Sequence, residues 1–422
     1  MMRNHDTACP SGPRAGRSCS AAVAVAALVL STAAVAGGAA AAPTDLVRGH
    51  ELPAALATAV GRDLALSPAE YLRRADLAQR LAGFAADARR RFPGAVTGIE
   101  LNRAGRPVVM VRPDAAAARV AARQAGFLLA EAGAAPGFTA AAPGTAPADG
   151  PLTDTLAATP AGPIAGGDVY VSAQPGQPGD KALKCSWAFN AVDRDGHPAA
   201  LTAGHCNAAA LAGSAVTGDQ QTFELLPGHV VGAQTGAFEK SVVDGVRDYA
   251  IVRIADEKRE SFRNNLVRGA DRTIAITGVG VPVVGAPVCK SGATTGFTCG
   301  IITQIDQPDP NRPPIRFKHT ALSLPGDSGG ALVSGTLAMG IVSEGAGSTD
   351  PRQFPTDKPS QLPPSPLSPI LGQLLENIGP HGFEQTAPLT DQFLRAVPQI
   401  MMVAQSVADV LADNPGLQIR TD

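Results

Sequence analysis

Hydrophobic positions between residues 164 and 345 fall into short runs that are separated by turns. The runs VYVSA (169–173), YAIVRI (249–254) and TCGIITQI (298–305) are rich in Val, Ile and Thr, and Gly-containing stretches lie between them. Short runs of this composition predict β-strands, because β-branched side chains pack well on a pleated surface. Strands that recur at this spacing are typical of an all-β barrel or sandwich.

A helical pattern precedes this region. The motif SPAE (67–70) predicts a helix N-terminus with a capping box. Apolar residues then recur at helical spacing, at Leu77, Leu81, Phe84 and Ala88. The segment AVTGIELNRAGRPVVMVRP (95–113) predicts a hairpin, and DAAAARVAARQAGFLLAEAG (114–133) predicts a second helix that ends at a glycine. Together these segments predict a small α+β module.

Several stretches interrupt these patterns. Residues 134–167 are mainly Ala, Pro, Gly and Thr with almost no charge, which is typical of an exposed linker that is open to proteolysis. A Pro-rich stretch, 351–369, ends the β pattern. The segment SPLSPILGQLLENIG (365–379) has helical spacing. Residues 380–422 form a further tail, in which we expect a helix from Leu389 to Leu411.

The N-terminus predicts export from the cell. Arg3, Arg14 and Arg17 lie in a polar leader, an Ala-rich apolar run follows over 21–36, and small residues continue to Ala42. This arrangement is typical of a cleaved signal peptide. A membrane anchor is the alternative, although the run is short and Ala-rich for a stable span. We therefore expect a secreted protein that has no membrane attachment after signal cleavage.

Composition adds two constraints. A formal net charge of −2 gives no support for nucleic acid or an anionic membrane as a partner. Two of the six cysteines lie in the leader, and the other four lie in two pairs with short spacings, Cys185 with Cys206 and Cys289 with Cys299. An even number in an oxidising compartment favours disulfides. A zinc site is the alternative, but no C-x2-C or H-x3-H spacing is present, so we expect no metal.

The segment SLPGDSGGAL (323–332) places three glycines around Asp327 and Ser328. Glycine tolerates positive φ, so a tight turn would explain this composition. The alternative is that the backbone comes very close to a ligand. A serine that serves as a nucleophile needs a base beside it, so the second explanation requires a histidine in the β-rich region.

His205 is the candidate base. It lies in the segment AALTAGHC (199–206), where an apolar strand ends, and Cys206 follows it. A disulfide between Cys206 and Cys185 would anchor the backbone of His205, and a general base needs a fixed position before anything else. A histidine that follows a glycine is otherwise an ordinary loop residue.

The base in turn needs a carboxylate that orients it. Asp248 stands at the start of the apolar run DYAIVRI (248–254). A charged group that enters a buried strand must be paired or hydrogen-bonded, and His205 is a suitable partner. The alternative is an edge-strand aspartate that caps its own turn. Asp244 is a weaker candidate, because the residues around it indicate a loop.

The motifs LTAGHC (201–206), DYAIV (248–252) and GDSGG (326–330), in this order, resemble the chymotrypsin superfamily of serine peptidases. The segments IAGGDVY (164–170) and VCKSGATTGFTCG (288–300) are similar to the secreted bacterial branch of that superfamily, which contains alpha-lytic protease and the streptogrisins. Three motifs in the expected order make the resemblance specific.

The resemblance implies a fold and a domain order. It covers residues 164–345, and it implies an all-β fold of two six-stranded antiparallel β-barrels with a C-terminal helix, which we match to 366–379. The α+β module resembles the pro-region of these enzymes. The chain would then comprise a signal peptide (1–42), a pro-region with its linker (43–163), a chymotrypsin-like peptidase domain (164–379) and a C-terminal tail (380–422).

The resemblance also implies roles for the matching residues. Ser328 would be the nucleophile, His205 the general base and Asp248 the residue that orients the base. The N–H groups of Gly326 and Ser328 would form the oxyanion hole. Further positions match a structural ion pair and the substrate-binding residues, namely Lys290 with Asp327, and Leu322, Ser343 and Gly345.

Some residues depart from the family pattern. Lys290 stands where the bacterial branch usually has arginine, and it offers a point charge in place of a planar fork. Leu322 stands where relatives commonly have a cysteine of a third disulfide. Glu344 replaces a residue that is usually glycine, and the insert 346–366 has no counterpart that we recognise. The apolar side chains of Leu322 and Leu324 indicate a preference for small to medium apolar residues before the cleaved bond.

These observations favour a secreted serine endopeptidase that is made as a zymogen, acts on peptide or protein substrates and needs no cofactor. Its own pro-region is the expected partner, because it would assist folding and cover the active site. One alternative is an inactive β-barrel binding module of the cell envelope. Another is an envelope structural protein that is attached through the C-terminal tail. Intact His205, Asp248 and Ser328 argue against a module that only binds.

Overall fold

The computed structural model describes residues 52, 54–131, 158–173, 182–207, 209, 220–228, 230–269, 272–324, 326–346 and 401–422. The expected signal peptide, most of the expected linker and the expected helix at 366–379 lie outside these residues. None of the helices in the described segments is long and apolar enough to cross a lipid bilayer.

The N-terminal module combines helices with a three-stranded sheet. Its elements are α1 (Ala54–Leu64), α2 (Pro68–Arg91), β1 (Val96–Leu101), β2 (Pro107–Val111), α3 (Ala116–Gln124) and β3 (Leu128–Glu131). The Oγ atom of Ser67 accepts the Glu70 N–H over 3.2 Å and caps α2 as predicted. The Glu70 carboxylate pairs with Arg73 and Arg74 and does not complete the predicted capping box. The hairpin β1–β2 also forms as predicted. The sequence patterns gave no indication of α1.

The second predicted helix is shorter than expected. Helix α3 ends at Gln124, and Gly126 adopts a φ of 80°, which turns the chain. Residues 128–131 then form β3, which pairs in parallel with β2. The apolar residues that were expected to extend the helix instead complete a sheet, because pairing with β2 outweighs their local helical spacing.

The first large sheet contains the strands between residues 169 and 254. They are β4 (Val169–Ala173), β5 (Leu183–Ser186), β6 (Asn190–Val192), β7 (Pro198–Thr202), β8 (Gln221–Leu226), β9 (Val230–Val243) and β10 (Asp248–Ile254). In the described residues they form an open antiparallel sheet in the order β6-β7-β10-β9-β8-β4-β5. A two-stranded ribbon, β11 (Leu266–Arg268) with β12 (Thr273–Ala275), follows them.

The second large sheet closes on itself. Its strands are β13 (Gly278–Val279), β14 (Pro287–Gly292), β15 (Gly296–Asp306), β16 (Arg316–His319), β17 (Ala331–Ser334), β18 (Leu337–Ala346) and β19 (Met401–Ser406). The order β18-β17-β14-β15-β16-β19 returns to β18, so six strands form a barrel, and β13 joins β18 from outside. The predicted all-β, chymotrypsin-like fold is confirmed. Of the two predicted barrels, one closes and the other is an open sheet in the described residues.

Residues 401–422 are part of this fold. The expected helix over Leu389–Leu411 is wrong at 401–406, where β19 pairs with both β16 and β18. Helix α4 (Val407–Asp413) follows it, and β20 (Gln418–Ile419) pairs with β6 of the open sheet. The barrel needs a sixth strand to satisfy the backbone groups on the edges of β16 and β18, and this pairing overrides local helical spacing. The helix after the last barrel strand is therefore α4.

The N-terminal module packs on the closed barrel. Leu56 and Val60 of α1 are at most 1% exposed and belong to the hydrophobic core that contains Trp187. Leu81 of α2 belongs to a second core that contains Met339 of β18. Burial of apolar side chains in these shared cores holds the module against the two large sheets.

Candidate active site

His205 and Asp248 come together from neighbouring elements of the open sheet. His205 lies in a 3₁₀ turn, Gly204–Cys206, directly after β7, and Asp248 begins β10, which pairs with β7. The Oδ2 atom of Asp248 lies 2.7 Å from Nδ1 of His205, and Oδ1 accepts the His205 backbone N–H over 2.8 Å. The carboxylate therefore fixes both the ring and the backbone of His205.

Ser343 is a third partner of this carboxylate. Its Oγ atom donates to Oδ2 of Asp248 over 2.5 Å, and both side chains are buried. Burial by itself would raise the pKa of Asp248, but charge attraction and hydrogen bonds from His205, with the bond from Ser343, lower it overall. A carboxylate that accepts from Nδ1 keeps the proton on that atom and leaves Nε2 of His205 as the basic nitrogen.

Ser328 lies close to the same turn. Its carbonyl accepts the Ser186 N–H over 2.8 Å, and it lies 3.8 Å from Sγ of Cys206, the residue after His205. The structure thus brings the glycine turn of Ser328, the His205 turn and β5 into one place. The three candidate triad residues belong to two sheets, because Ser328 precedes β17 of the closed barrel.

The backbone of the Ser328 turn has two N–H groups that are not used internally. Within the described residues, the N–H groups of Gly326 and Ser328 have no acceptor. The N–H groups of their neighbours all donate to backbone carbonyls, those of Asp327, Gly329 and Gly330 to Leu324, Val342 and Asp327 respectively. A turn that uses the N–H groups of 327, 329 and 330 for structure and leaves these two unused offers paired donors to a ligand.

The glycines of this turn are needed for conformation and for space. Gly326 has a φ of 96° and Gly329 a φ of 82°. A Cβ atom on Gly326 would lie 2.3 Å from Oγ1 of Thr294, and one on Gly329 would lie 2.1 Å from Oγ1 of Thr202. A side chain at either position would therefore require both strain and displacement of its neighbours.

Asp327 points away from the turn into a buried cluster. Its Oδ2 atom lies 3.2 Å from Nζ of Lys290, and both side chains are fully buried. Its Oδ1 atom accepts the N–H groups of Thr294 and Thr295 over 2.8 and 3.0 Å. Burial lowers the pKa of Lys290, and the attraction of Asp327 opposes this only in part. The pair fixes the residue before Ser328 to the β14–β15 hairpin.

Both disulfides support this site. Cys185 is bonded to Cys206 with an S–S distance of 2.01 Å, and Cys289 to Cys299 with one of 2.10 Å. The first bond ties β5 to the turn that carries His205. The second joins directly opposed residues of β14 and β15, next to Lys290.

One edge of β18 is open beside the site. Residues 343–346 belong to β18, whose last pairings with β19 are at Gly345 and Ala346, whereas pairing with β17 ends at Ile341. Val342 still exchanges backbone hydrogen bonds with Gly329 and Gly330, so in the described residues the second edge of β18 has no strand neighbour from Ser343 onward. An extended peptide can pair with such an edge. Leu322 precedes the Ser328 turn in the chain and is partly buried. Its carbonyl accepts a hydrogen bond from Oγ1 of Thr298 over 2.8 Å.

Sequence patterns missed two hydroxyl groups that shape the turn. The Oγ atom of Ser186 donates to the Gly326 carbonyl over 2.7 Å and accepts the Ala293 N–H over 2.9 Å. The Oγ1 atom of Thr295 donates to Oδ2 of Asp327 over 2.6 Å. The one sequence feature that points to Ser186 is its position directly after Cys185. Its role could not be predicted, because Gly326, to which it donates, lies 140 residues away in the chain.

Known proteins are similar to the part of the chain that contains this site. A family model described as Trypsin matches residues 196–358. Serine protease 2 of Streptomyces fradiae is 31% identical over 188 residues, which are 44% of this chain and 95% of that protein. The chain belongs to the chymotrypsin (trypsin) superfamily of serine endopeptidases. Glutamyl endopeptidase 2 of Streptomyces griseus is 34% identical over 171 residues, which are 39% of this chain and 80% of that relative.

Other relatives of this trypsin-family chain are longer than the shared region. Streptogrisin-D of Streptomyces griseus is 33% identical over 188 residues, and the match spans 42% of its length. Among solved structures, Nocardiopsis protease (NAPase) has a TM-score of 0.37 and 25% identity, over 61% of this chain and 99% of that one. The family match contains His205, Asp248 and Ser328 but ends before β19 and α4.

Proposed function

We propose that the protein is a secreted serine endopeptidase that hydrolyses peptide bonds through an acyl-enzyme. The observation that carries this proposal is the contact of Asp248 with both the ring and the backbone of His205, next to the turn of Ser328. The leader with its apolar run supports export, as does the presence of two disulfides.

In the proposed reaction Oγ of Ser328 attacks the peptide carbonyl carbon, and Nε2 of His205 accepts the hydroxyl proton. Asp248 stabilises the imidazolium that forms and stays ionised itself. The N–H groups of Gly326 and Ser328 stabilise the negative oxygen, and each such donor lowers the barrier by about 3–4 kcal/mol. His205 then returns the proton to the leaving amine, and water releases the acyl group by the same steps in reverse order.

The proposed specificity is for small to medium apolar residues, such as Ala, Val, Leu or Met, before the cleaved bond. The substrate would extend along the open edge of β18 at Ser343 and Gly345, with Leu322 beside it. Leu322 is apolar and carries no charge for a basic side chain, and an apolar pocket discriminates by about 1–3 kcal/mol per methylene. A peptide library tests this: dominant cleavage after Arg or Lys would show that Glu344 sets the specificity.

We further propose that the N-terminal module is a pro-region. It makes buried and partly buried polar contacts with the closed barrel, in addition to the apolar cores that the two parts share. The hydroxyl of Tyr71 accepts the Gly335 N–H over 2.8 Å, and Gln79 binds both backbone groups of Val281, at 2.9 and 3.2 Å. The Leu101 N–H donates to the Val284 carbonyl over 2.8 Å.

Helix α1 adds contacts with the β14–β15 hairpin. The Oδ2 atom of Asp63 accepts the Cys299 N–H over 2.7 Å, and Nη2 of Arg62 donates to the Phe297 carbonyl over 3.0 Å. These residues belong to the hairpin that holds Lys290 and, through it, Asp327. Docking of α1 would therefore help to form the hairpin on which the Ser328 turn rests.

A refolding experiment tests the pro-region. Long-range strand pairing makes the peptidase region a slow folder, so the module should raise the yield and the rate of active enzyme. The peptidase fragment should begin at Ala158, because Thr159 exchanges hydrogen bonds with Leu225 at the edge of β8. Equal yields and rates for residues 158–422 with and without residues 43–157 added in trans would contradict this role.

Labelling by a serine-directed phosphonate tests the peptidase itself. The wild-type protein should be labelled at Ser328 and should cleave peptides, whereas Ser328→Ala should fold normally and lose nearly all turnover. An inactive binding module would take up no label. A folded Ser328→Ala variant with undiminished peptidase activity would exclude the proposed nucleophile.

A further inference from the structure

Gln405 lies directly behind the triad aspartate, although it belongs to the tail that sequence patterns set apart. It is 1% exposed and sits on β19 of the closed barrel. Its Oε1 atom accepts the Asp248 backbone N–H over 3.1 Å. Its Nε2 atom donates to the Ile315 carbonyl over 2.9 Å and to Oδ2 of Asp409 over 3.1 Å. Every strong polar group of this amide is therefore used.

The partners determine the orientation of the Gln405 amide. The Asp248 N–H can only donate, and the Ile315 carbonyl can only accept. A rotated amide would place its NH2 group against the Asp248 N–H and its oxygen against the Ile315 carbonyl, so neither hydrogen bond would form. Such a bond in a buried setting is stiff, because breaking it leaves two polar groups without water. Gln405 thus links Asp248, the first residue of β10 in the open sheet, to the closed barrel. There it lies on β19 and bonds Ile315, the residue before β16.

Asp409 extends this connection toward the surface. It lies on the first turn of α4, is 1% exposed and contacts Nε of Arg247 over 3.2 Å. Arg247 directly precedes Asp248. The residue before Asp248 and the backbone of Asp248 itself are therefore both held by the segment 405–409, the first through Asp409 and the second through Gln405.

We propose that Gln405, supported by Asp409, is a positioning residue for the triad: it fixes the start of β10 so that the Asp248 carboxylate stays aligned with His205. The inference rests on the proposed peptidase function. Asp248 has little freedom to align itself, because its side chain must meet His205 Nδ1, the His205 N–H and Ser343 at the same time. A small shift of its backbone would lengthen at least one of these bonds, and misplacement on the scale of 1 Å lowers rates strongly.

The test compares peptidase variants made from the full chain, with active enzyme counted by phosphonate labelling. Gln405→Met keeps the length of the side chain and removes its hydrogen bonds. We expect kcat/KM to fall about tenfold, mainly through kcat, as for the loss of one buried hydrogen bond. We also expect a shift of the pH profile of kcat/KM and of the downfield proton resonance of His205 Nδ1. The charged groups around Gln405 that bear on this profile are Asp248, His205, Asp409, Arg247, Arg312 and Arg316.

A matched control separates positioning from stability. Asp168 is a fully buried aspartate that is paired with an arginine, Arg268, and within the described residues its other hydrogen bonds go to Ala165 and Trp187 and not to the triad. Asp168→Asn should lower the melting temperature and leave the pH profile and the His205 resonance unchanged. If Gln405→Met behaves in the same way, the inference is wrong.

A second pair of variants decides the matter if Gln405→Met does not fold. Asp409→Asn keeps an oxygen that can accept from Gln405, whereas Asp409→Leu does not. Asp409→Asn should retain most of the activity and the wild-type resonance, and Asp409→Leu should show the shifted profile. Equal profiles for the two folded variants would overturn the inference. A wild-type protein that takes no label and cleaves no peptide would instead contradict the proposed function, before any variant is compared.

Discussion

The carboxylate of Asp248 binds His205 twice, through Nδ1 at 2.7 Å and through the backbone N–H at 2.8 Å. The two contacts have different effects. The backbone contact fixes where the turn lies relative to β10, and the ring contact selects the tautomer. A substitution that keeps the first contact and changes the second should therefore leave the fold intact and remove catalysis.

Asp248→Asn is that substitution. The amide has nearly the same shape. When its oxygen keeps the contact with the His205 backbone N–H, its NH2 group faces Nδ1 and donates to it, so Nε2 carries the proton and cannot act as the base. We expect kcat to fall by about 10⁴-fold. Steady-state kinetics, with rates divided by the concentration of folded enzyme, would measure this loss. The melting curve should stay close to that of the wild-type protein. A loss below tenfold would contradict the orienting role.

Gly326→Ala tests the close approach of the turn. The new Cβ would meet Oγ1 of Thr294 at 2.3 Å on a backbone with a φ of 96°. Movement of the turn should displace an oxyanion donor and lower kcat by about 10²–10³-fold. Gly196→Ala is the control, because Gly196 has a φ of 82° but open space around its Cβ position. The control should lose stability only and keep wild-type kcat.

Lys290→Met tests the buried ion pair. Asp327 would keep its hydrogen bonds but lose its buried cation, and removal of one partner from a buried pair costs about 3–5 kcal/mol. Urea unfolding in a Ser328→Ala background, which prevents autolysis, would measure this. Lys240→Met is the control, because its pair with Asp413 is partly exposed and should contribute only about 0.2–1 kcal/mol. Similar losses for both variants would contradict the assignment.

His319 should make the protein sensitive to mild acid. Burial, with the nearby Lys290 cation, lowers the pKa of His319 to about 3. Between pH 6.5 and about 3 the unfolded chain therefore binds a proton that the folded chain does not, so stability falls as the pH falls, by about 1.4 kcal/mol per unit. His319→Leu should reduce this slope between pH 6.5 and 4.5. Urea unfolding at both pH values in the Ser328→Ala background would check it, and an unchanged slope would argue against a buried neutral histidine.

Tyr71→Phe should weaken the hold of the N-terminal module on the barrel. Phenylalanine fits the same space, but the Gly335 N–H loses its acceptor in a buried position. This should cost about 1–3 kcal/mol. In Ser328→Ala protein nicked between the two parts, the module should dissociate about 5–150-fold more readily. Arg73→Ala serves as control, since Arg73 is exposed and pairs with Glu70 of its own helix.

The sequence by itself predicted which residues meet at the candidate site. His205, Asp248 and Ser328 each stand in a short local pattern, and the structure brings them together. Two glycines of the turn follow from a local requirement for positive φ. The start of α2 was also predictable, since Ser67 caps it through a neighbour three residues away. The all-β character of the peptidase region likewise follows from runs of strand-forming residues.

Only the tertiary structure decided the role of the last 22 described residues and the limit of α3. Both segments have helical spacing in sequence, yet Met401–Ser406 is a strand because β16 and β18 each offer it an unpaired edge. The same pairing carries Gln405 to Asp248, 157 residues away in the chain. Contacts of this range leave no local pattern, because they depend on which strand edges remain open once the rest of the barrel has formed.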